Sequence, residues 1–151
     1  MGNKAFKAGD TEIGIEKYQK ALRYLNEHPE TNDSDPPELG DQMKQLKFTL
    51  HSNSALLANK SQRYDEAQKW VGFALEAAPS DAKDVDKGKA YYRRAVAKIG
   101  LKDDEGALQD LEQAAKLAPG DPGIAGEMAK VKKRVAEREK KEKAAFKKFF
   151  D

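Results

Sequence analysis

Small and apolar residues recur along the chain at fixed intervals. Ala55, Ala67, Val71 and Ala74 are separated by twelve, four and three residues. The same rhythm returns 40 positions later as Ala95, Ala107, Leu111 and Ala114, and stands 53 positions earlier as Gly2, Gly14, Tyr18 and Ala21. Steps of three and four put residues on one face of a helix. A small residue on each of two antiparallel helices lets the backbones approach, and the larger residue fills the gap between them. Pro79 and Pro119 keep the 40-residue offset and end the second helix of their units, because proline cannot continue a helix. The pattern predicts an all-α chain of three helical hairpins.

The boundaries follow from the same register. Residues 1–27 form the first hairpin, 38–79 the second and 80–119 the third. Between the first two, residues 28–37 read His28-Pro29-Glu30-Thr31-Asn32-Asp33-Ser34-Asp35-Pro36-Pro37, a polar, proline-rich loop insertion. A helical pattern resumes near Glu38 and runs to about Lys60. A shorter insertion near 80–86 lengthens the linker or the start of the next helix. Gly120-Asp121-Pro122 is a stop followed by a restart. One long helix then fills 120–151, with Ile124, Met128, Val131 and Val135 on one face. That helix caps the array, since the last unit of a repeat stack otherwise leaves an apolar face bare.

Composition narrows the function. Charged residues make up 36% of the 151 and hydrophobic ones 38%, a mix that suits helices with long solvated faces. The net charge of +2 is too small to argue for nucleic acid, and no aromatic stacking platform supports it. From Lys130 to Asp151, however, ten Lys or Arg stand against four Asp or Glu. Cysteine is absent, which removes disulfides, thiolate chemistry and Cys-based zinc sites. No apolar run approaches the roughly 20 residues of a membrane span, and Met1-Gly2-Asn3-Lys4 opens no signal peptide. The expectation is a cytoplasmic helical module that contacts neither membrane nor nucleic acid and has no cofactor or metal. No nucleophile with a positioned base, phosphate loop or paired carboxylate is present, so no catalytic residue is assigned.

The candidate chemistry lies on the inner wall, which the first helix of each hairpin builds. Asn53 stands two residues before Ala55 and Arg93 two before Ala95, so the two are equivalent. Lys89 is one turn before Arg93 on the same face. Asn3 falls three residues past the equivalent site in the first hairpin, again on that face. Two amides, an ammonium and a guanidinium therefore share a wall, with no acidic partner from the matched positions. Arg offers a planar fork, Lys a point charge, and the amides add hydrogen bonds without repulsion. Such a set suits the two carboxylates of an acidic C-terminal residue. Lys60, seven residues after Asn53, faces the same way as an accessory contact.

Gly2-Asn3-Lys4-Ala5-Phe6, Ser52-Asn53-Ser54-Ala55 and Lys89-Ala90-Tyr91-Tyr92-Arg93-Arg94-Ala95 carry a resemblance to a known family. The hairpins resemble tetratricopeptide repeats (TPRs), whose period is about 34 residues. These three motifs resemble the carboxylate-clamp TPR domains that bind the Glu-Glu-Val-Asp tail of heat-shock proteins 90 and 70. Ala21-Leu22-Arg23-Tyr24-Leu25, the long first insertion, Gly100-Leu101-Lys102 and the ending Lys143-Ala144-Ala145-Phe146-Lys147-Lys148-Phe149-Phe150 are similar to the cyclophilin 40 type peptidyl-prolyl isomerases. The resemblance implies three TPR hairpins in a right-handed superhelical array with a long capping helix. It implies a co-chaperone that docks on the heat-shock protein 90 tail, with Asn3, Asn53, Lys89 and Arg93 on the carboxylates. In the intact protein it would tether a prolyl isomerase domain that this chain lacks.

The family clamp has a further Lys one turn before the position of Asn3. That position falls before residue 1, so the chain reads as cut inside the first helix of the first hairpin. Losing one charged hydrogen bond costs about 1.5–3 kcal/mol, so weakened tail binding is expected. Two alternatives stay open: a TPR scaffold that binds a partner helix, and a binder of the heat-shock protein 70 tail. Tyr18 and Trp70 read as packing residues, and His28 and His51 as bystanders. Beyond Glu137 the basic helix with Phe146, Phe149 and Phe150 is either a protruding solvated helix or, as in the resembled family, a calmodulin site.

Overall fold

The computed structural model describes residues 8–27 and 34–151. Within them lie α1 (Ala8–Glu27), α2 (Glu38–Lys60), α3 (Tyr64–Ala77), α4 (Asp84–Gly100), α5 (Asp104–Leu117) and α6 (Pro122–Phe150). Each helix packs on the next, and α2 also touches α4 directly. Gly2, Asn3 and the expected first helix of the first hairpin lie outside the described residues. So does most of the expected 28–37 loop.

The repeat columns form the core. Ala55, Ala67, Val71 and Ala74, with their partners Ala95, Ala107, Leu111 and Ala114, are all fully buried. Three apolar clusters run in chain order. The first joins α1 to α2 through Ile15, Tyr18, Leu22, Leu50 and Leu57. The second joins α2, α3 and α4 around Phe48, Val71 and Ala90, and half-buried Trp70 touches both clusters. The third joins α4 and α5 to α6, where Ile124 and Val131 are buried and Met128 and Val135 pack beside them. The capping face expected of the last helix is therefore in place.

Helix ends repeat as faithfully as the core. Gln62 and Lys102, 40 residues apart, both adopt positive φ (59° and 66°) just past α2 and α4. Arg63 N–H donates to the Ala58 carbonyl and Asp103 N–H to the Lys98 carbonyl, each at 2.8 Å. This left-handed cap satisfies carbonyls that the helix end would orphan. The expected insertion near 80–86 resolves into a short turn, after which α4 begins at Asp84. At the stop-and-restart, Asp121 accepts from Gly123 N–H (2.8 Å) and Ile124 N–H (3.2 Å), and Pro122 opens α6.

Ion pairs fix the later helices. Asp110 on α5, almost fully buried, accepts from Nε and Nη2 of Arg94 (both 2.8 Å) and pairs with Lys98 Nζ (3.0 Å). Arg134 of α6 reaches buried Asp104 at 3.0 Å, and Arg138 reaches Glu105 at 2.6 Å. Past Arg138 every residue is exposed, and Phe146 and Phe149 stack on Phe150 alone, with centroids 4.6 and 5.3 Å away.

Candidate functional site

Arg93 and Arg94 are neighbours on α4 with opposite tasks. Arg94 turns outward to α5 and Asp110. Arg93 turns toward α2, where its Nη1 donates to the Ser52 carbonyl (2.8 Å), to Ser52 Oγ (2.8 Å) and weakly to Asn53 Oδ1 (3.4 Å). Asn59 Nδ2 returns a hydrogen bond to the Arg93 carbonyl at 2.8 Å. One guanidinium nitrogen is thus locked to α2. Among the described residues, Nε and Nη2 of Arg93 have no hydrogen-bond partner. A fork held at one corner and open on two others is prepared for an anion.

Lys89 stands one turn earlier on α4, exposed, with no ion-pair partner among the described residues. Asn53, Lys89 and Arg93 line one cleft of about 260 Å³, together with Phe48, Ser52 and Asp86. Lys60 lines an adjoining cleft of about 450 Å³ that shares Lys89 and Arg93 and adds Leu56, Tyr92 and Val96. The two clefts form one trough between α2 and α4. Asn3 is outside the described residues, so the structure does not place it.

Burial holds the Arg93 guanidinium below its usual pKa, with Tyr18 and Asp86 pulling the other way. The charge persists at any working pH, because even a lowered arginine pKa leaves it protonated. Tyr18, read as a packing residue, is buried as expected, yet its hydroxyl also hydrogen-bonds the Asn53 side chain. Burial raises the pKa of that hydroxyl while Asn53 and Arg93 lower it, so the phenol stays neutral. The tyrosine is thus a hydrogen-bond partner of an amide that lines the cleft.

The structure adds two points to the sequence reading. Outside the matched positions, Asp86, three residues before Lys89, lines the same cleft. The helical spacing of three and four that placed Lys89 one turn before Arg93 also places Asp86 one turn before Lys89. His51, read as a bystander to the site chemistry, has packing of its own. It is half-buried against Phe73 (5.6 Å between centroids), and its Nδ1 is buried without a partner. No group of acidic or imidazole side chains able to hold a metal occurs among the described residues.

Comparison with known proteins places this geometry in context. The C-terminal TPR-containing domain of an FK506-binding protein from Plasmodium falciparum superposes with a TM-score of 0.75 at 27% identity, covering 92% of this chain and 86% of that one. The chain folds as a TPR domain. A second TPR domain, the second of human RPAP3, was solved in complex with the HSP70 peptide SGPTIEEVD. It superposes with a TM-score of 0.62 at 28% identity, covering 87% of this chain and 88% of that one. In sequence, this TPR chain is related along nearly all its length to the peptidyl-prolyl cis-trans isomerase D of Cryptococcus neoformans, 38% identical over 152 aligned positions. These cover 99% of this chain and 40% of the relative. The chain thus spans well under half of that isomerase. No family model matches it.

Proposed function

We propose that the domain is a co-chaperone docking module that takes the acidic C-terminal tail of heat-shock protein 90 in the trough between α2 and α4. In a longer protein it would bring a prolyl isomerase to the chaperone. One observation carries the reading: Asn53, Lys89 and Arg93 line one cleft, and the Lys89 ammonium and two guanidinium nitrogens of Arg93 have no partners among the described residues. Unpaired cations held by a rigid scaffold favour a carboxylate, because the protein has already met the cost of orienting them. Support comes also from the RPAP3 neighbour, whose bound peptide ends in Val-Asp. The named isomerases among its relatives support the tethering role.

The test is titration calorimetry with a peptide ending Glu-Glu-Val-Asp and its C-terminally amidated copy. The amide removes one carboxylate, a loss of about 1.5–3 kcal/mol or roughly ten- to a hundredfold in affinity. Arg93→Ala should lose at least as much, while circular dichroism shows the helices intact. Equal affinity for acid and amide would favour instead a groove that binds a partner helix.

A further inference from the structure

The trough between α2 and α4 changes sign along its length. At the Lys60 end it is lined by Lys60, Lys89 and Arg93. Moving toward the start of α4, the next group is Asp86, whose carboxylate makes no ion pair or hydrogen bond among the described residues and acts on Arg93 only through its charge. Its carboxylate therefore touches neither Lys89 nor Arg93, and its acceptor oxygens line the cleft without a hydrogen-bond partner among the described residues. Beyond it the groove continues as a cleft of about 500 Å³, lined by Glu38, Asp41 and Asp81 with Lys83 as its cation. Asp86 lines both clefts and marks the point where the sign turns.

We propose that Asp86 is a specificity-determining residue of the tail groove. It admits a basic or hydrogen-bond-donating side chain near the acidic end of the ligand and rejects a further carboxylate there. This rests on the tail-docking reading. A chain end that puts its terminal carboxylates on Lys89 and Arg93 must pass one neighbouring side chain close to Asp86. An ammonium or amide there meets an acceptor with no competing partner. A carboxylate there meets a like charge that no cation of the protein screens at contact distance. Acidic residues further up the tail are accommodated toward Lys60 instead. The groove thus selects the order of charges in the ligand as well as their sum.

The experiment scans one peptide family against three proteins by calorimetry at low salt. The parent peptide ends in Asp with a free carboxylate, and each of the three preceding positions is made Lys, Gln or Glu in turn. In the unaltered protein one of these positions should rank Lys above Gln above Glu, spanning about fivefold, with the span shrinking as salt rises. Asp86→Asn should flatten that ranking and Asp86→Lys should invert it. Asp86 also stands in the first turn of α4, where a carboxylate favours a helix N-terminus. A melting measurement records that contribution, which shifts all peptides alike and leaves their ranking unmoved. The same ranking in all three proteins overturns the role of Asp86 while leaving tail docking intact. If neither the parent nor any scanned peptide binds, tail docking itself fails, and the inference with it.

Discussion

Removing the carboxylate of Asp110 is the sharpest test of what holds α4 in position. Asp110 is the hub between α4 and α5: two hydrogen bonds from Arg94 at 2.8 Å and one ion pair from Lys98 at 3.0 Å converge on it. Its own side chain is 4% exposed, while those of Arg94 and Lys98 keep 25% and 19%. Breaking a buried pair by deleting one partner costs about 3–5 kcal/mol, because the other charge is stranded. Here both cations retain a path to water, which moves the cost of Asp110→Ala to about 2–4 kcal/mol. For a domain of this size that corresponds to a melting point lower by roughly 5–15 °C. Urea unfolding followed at 222 nm would measure it. The Arg94→Met single and double variants complete a cycle whose coupling energy should exceed about 1 kcal/mol. A loss below about 0.5 kcal/mol, or additive single variants, would refute the hub. Because Arg93 adjoins Arg94, the less stable variant should also bind an acidic tail less tightly while keeping its preference for the free acid.

Three further expectations concern positions outside the trough. A Cβ at Gly100 would stand 2.5 Å from ring atoms of Tyr64, so Gly100→Ala should cost about 1–3 kcal/mol in urea unfolding, and less in a Tyr64→Leu background. Lys102 and Gln62 hold left-handed backbone at φ 66° and 59°, so Lys102→Gly and Gln62→Gly should each stabilise by roughly 0.5–1 kcal/mol. Burial, then the charge of Lys47, pushes the His51 imidazole below its usual pKa. The unfolded chain therefore binds that proton first as pH falls. The contribution of neutral His51 is complete above the unfolded value near 6.5 and is lost as pH drops toward the folded value. The urea midpoint should consequently fall more between pH 7.5 and 5.5 in the unaltered protein than in His51→Gln; equal slopes would contradict the depressed pKa.

The hairpins were legible because their signal is steric. Only small residues allow two helices to touch at Ala55, Ala67, Ala95 and Ala107, and all four are fully buried. The inner wall was legible for the same reason, since Asn53 and Arg93 hang at a fixed offset from those alanines. What periodicity could not supply was the pairing of polar atoms across helices. Ser52 and Asn59 bind Arg93 from another helix, and no spacing within α2 encodes that.

Two residues did leave a trace, in columns where the repeats disagree. Tyr18 occupies the place of Val71 and Leu111, so its hydroxyl is surplus to packing, and the structure gives it a task on Asn53. Asp86 lies in the first turn of α4, beside the insertion and outside the shared columns of the repeat, and it lines the cleft. A repeat spends its shared columns on close packing. The chemistry that distinguishes one array from another must therefore sit where a column departs from its equivalents. In this chain Arg93, in place of Asn53, and Asp86 line one trough, and Tyr18 hydrogen-bonds the Asn53 side chain that lines it with them.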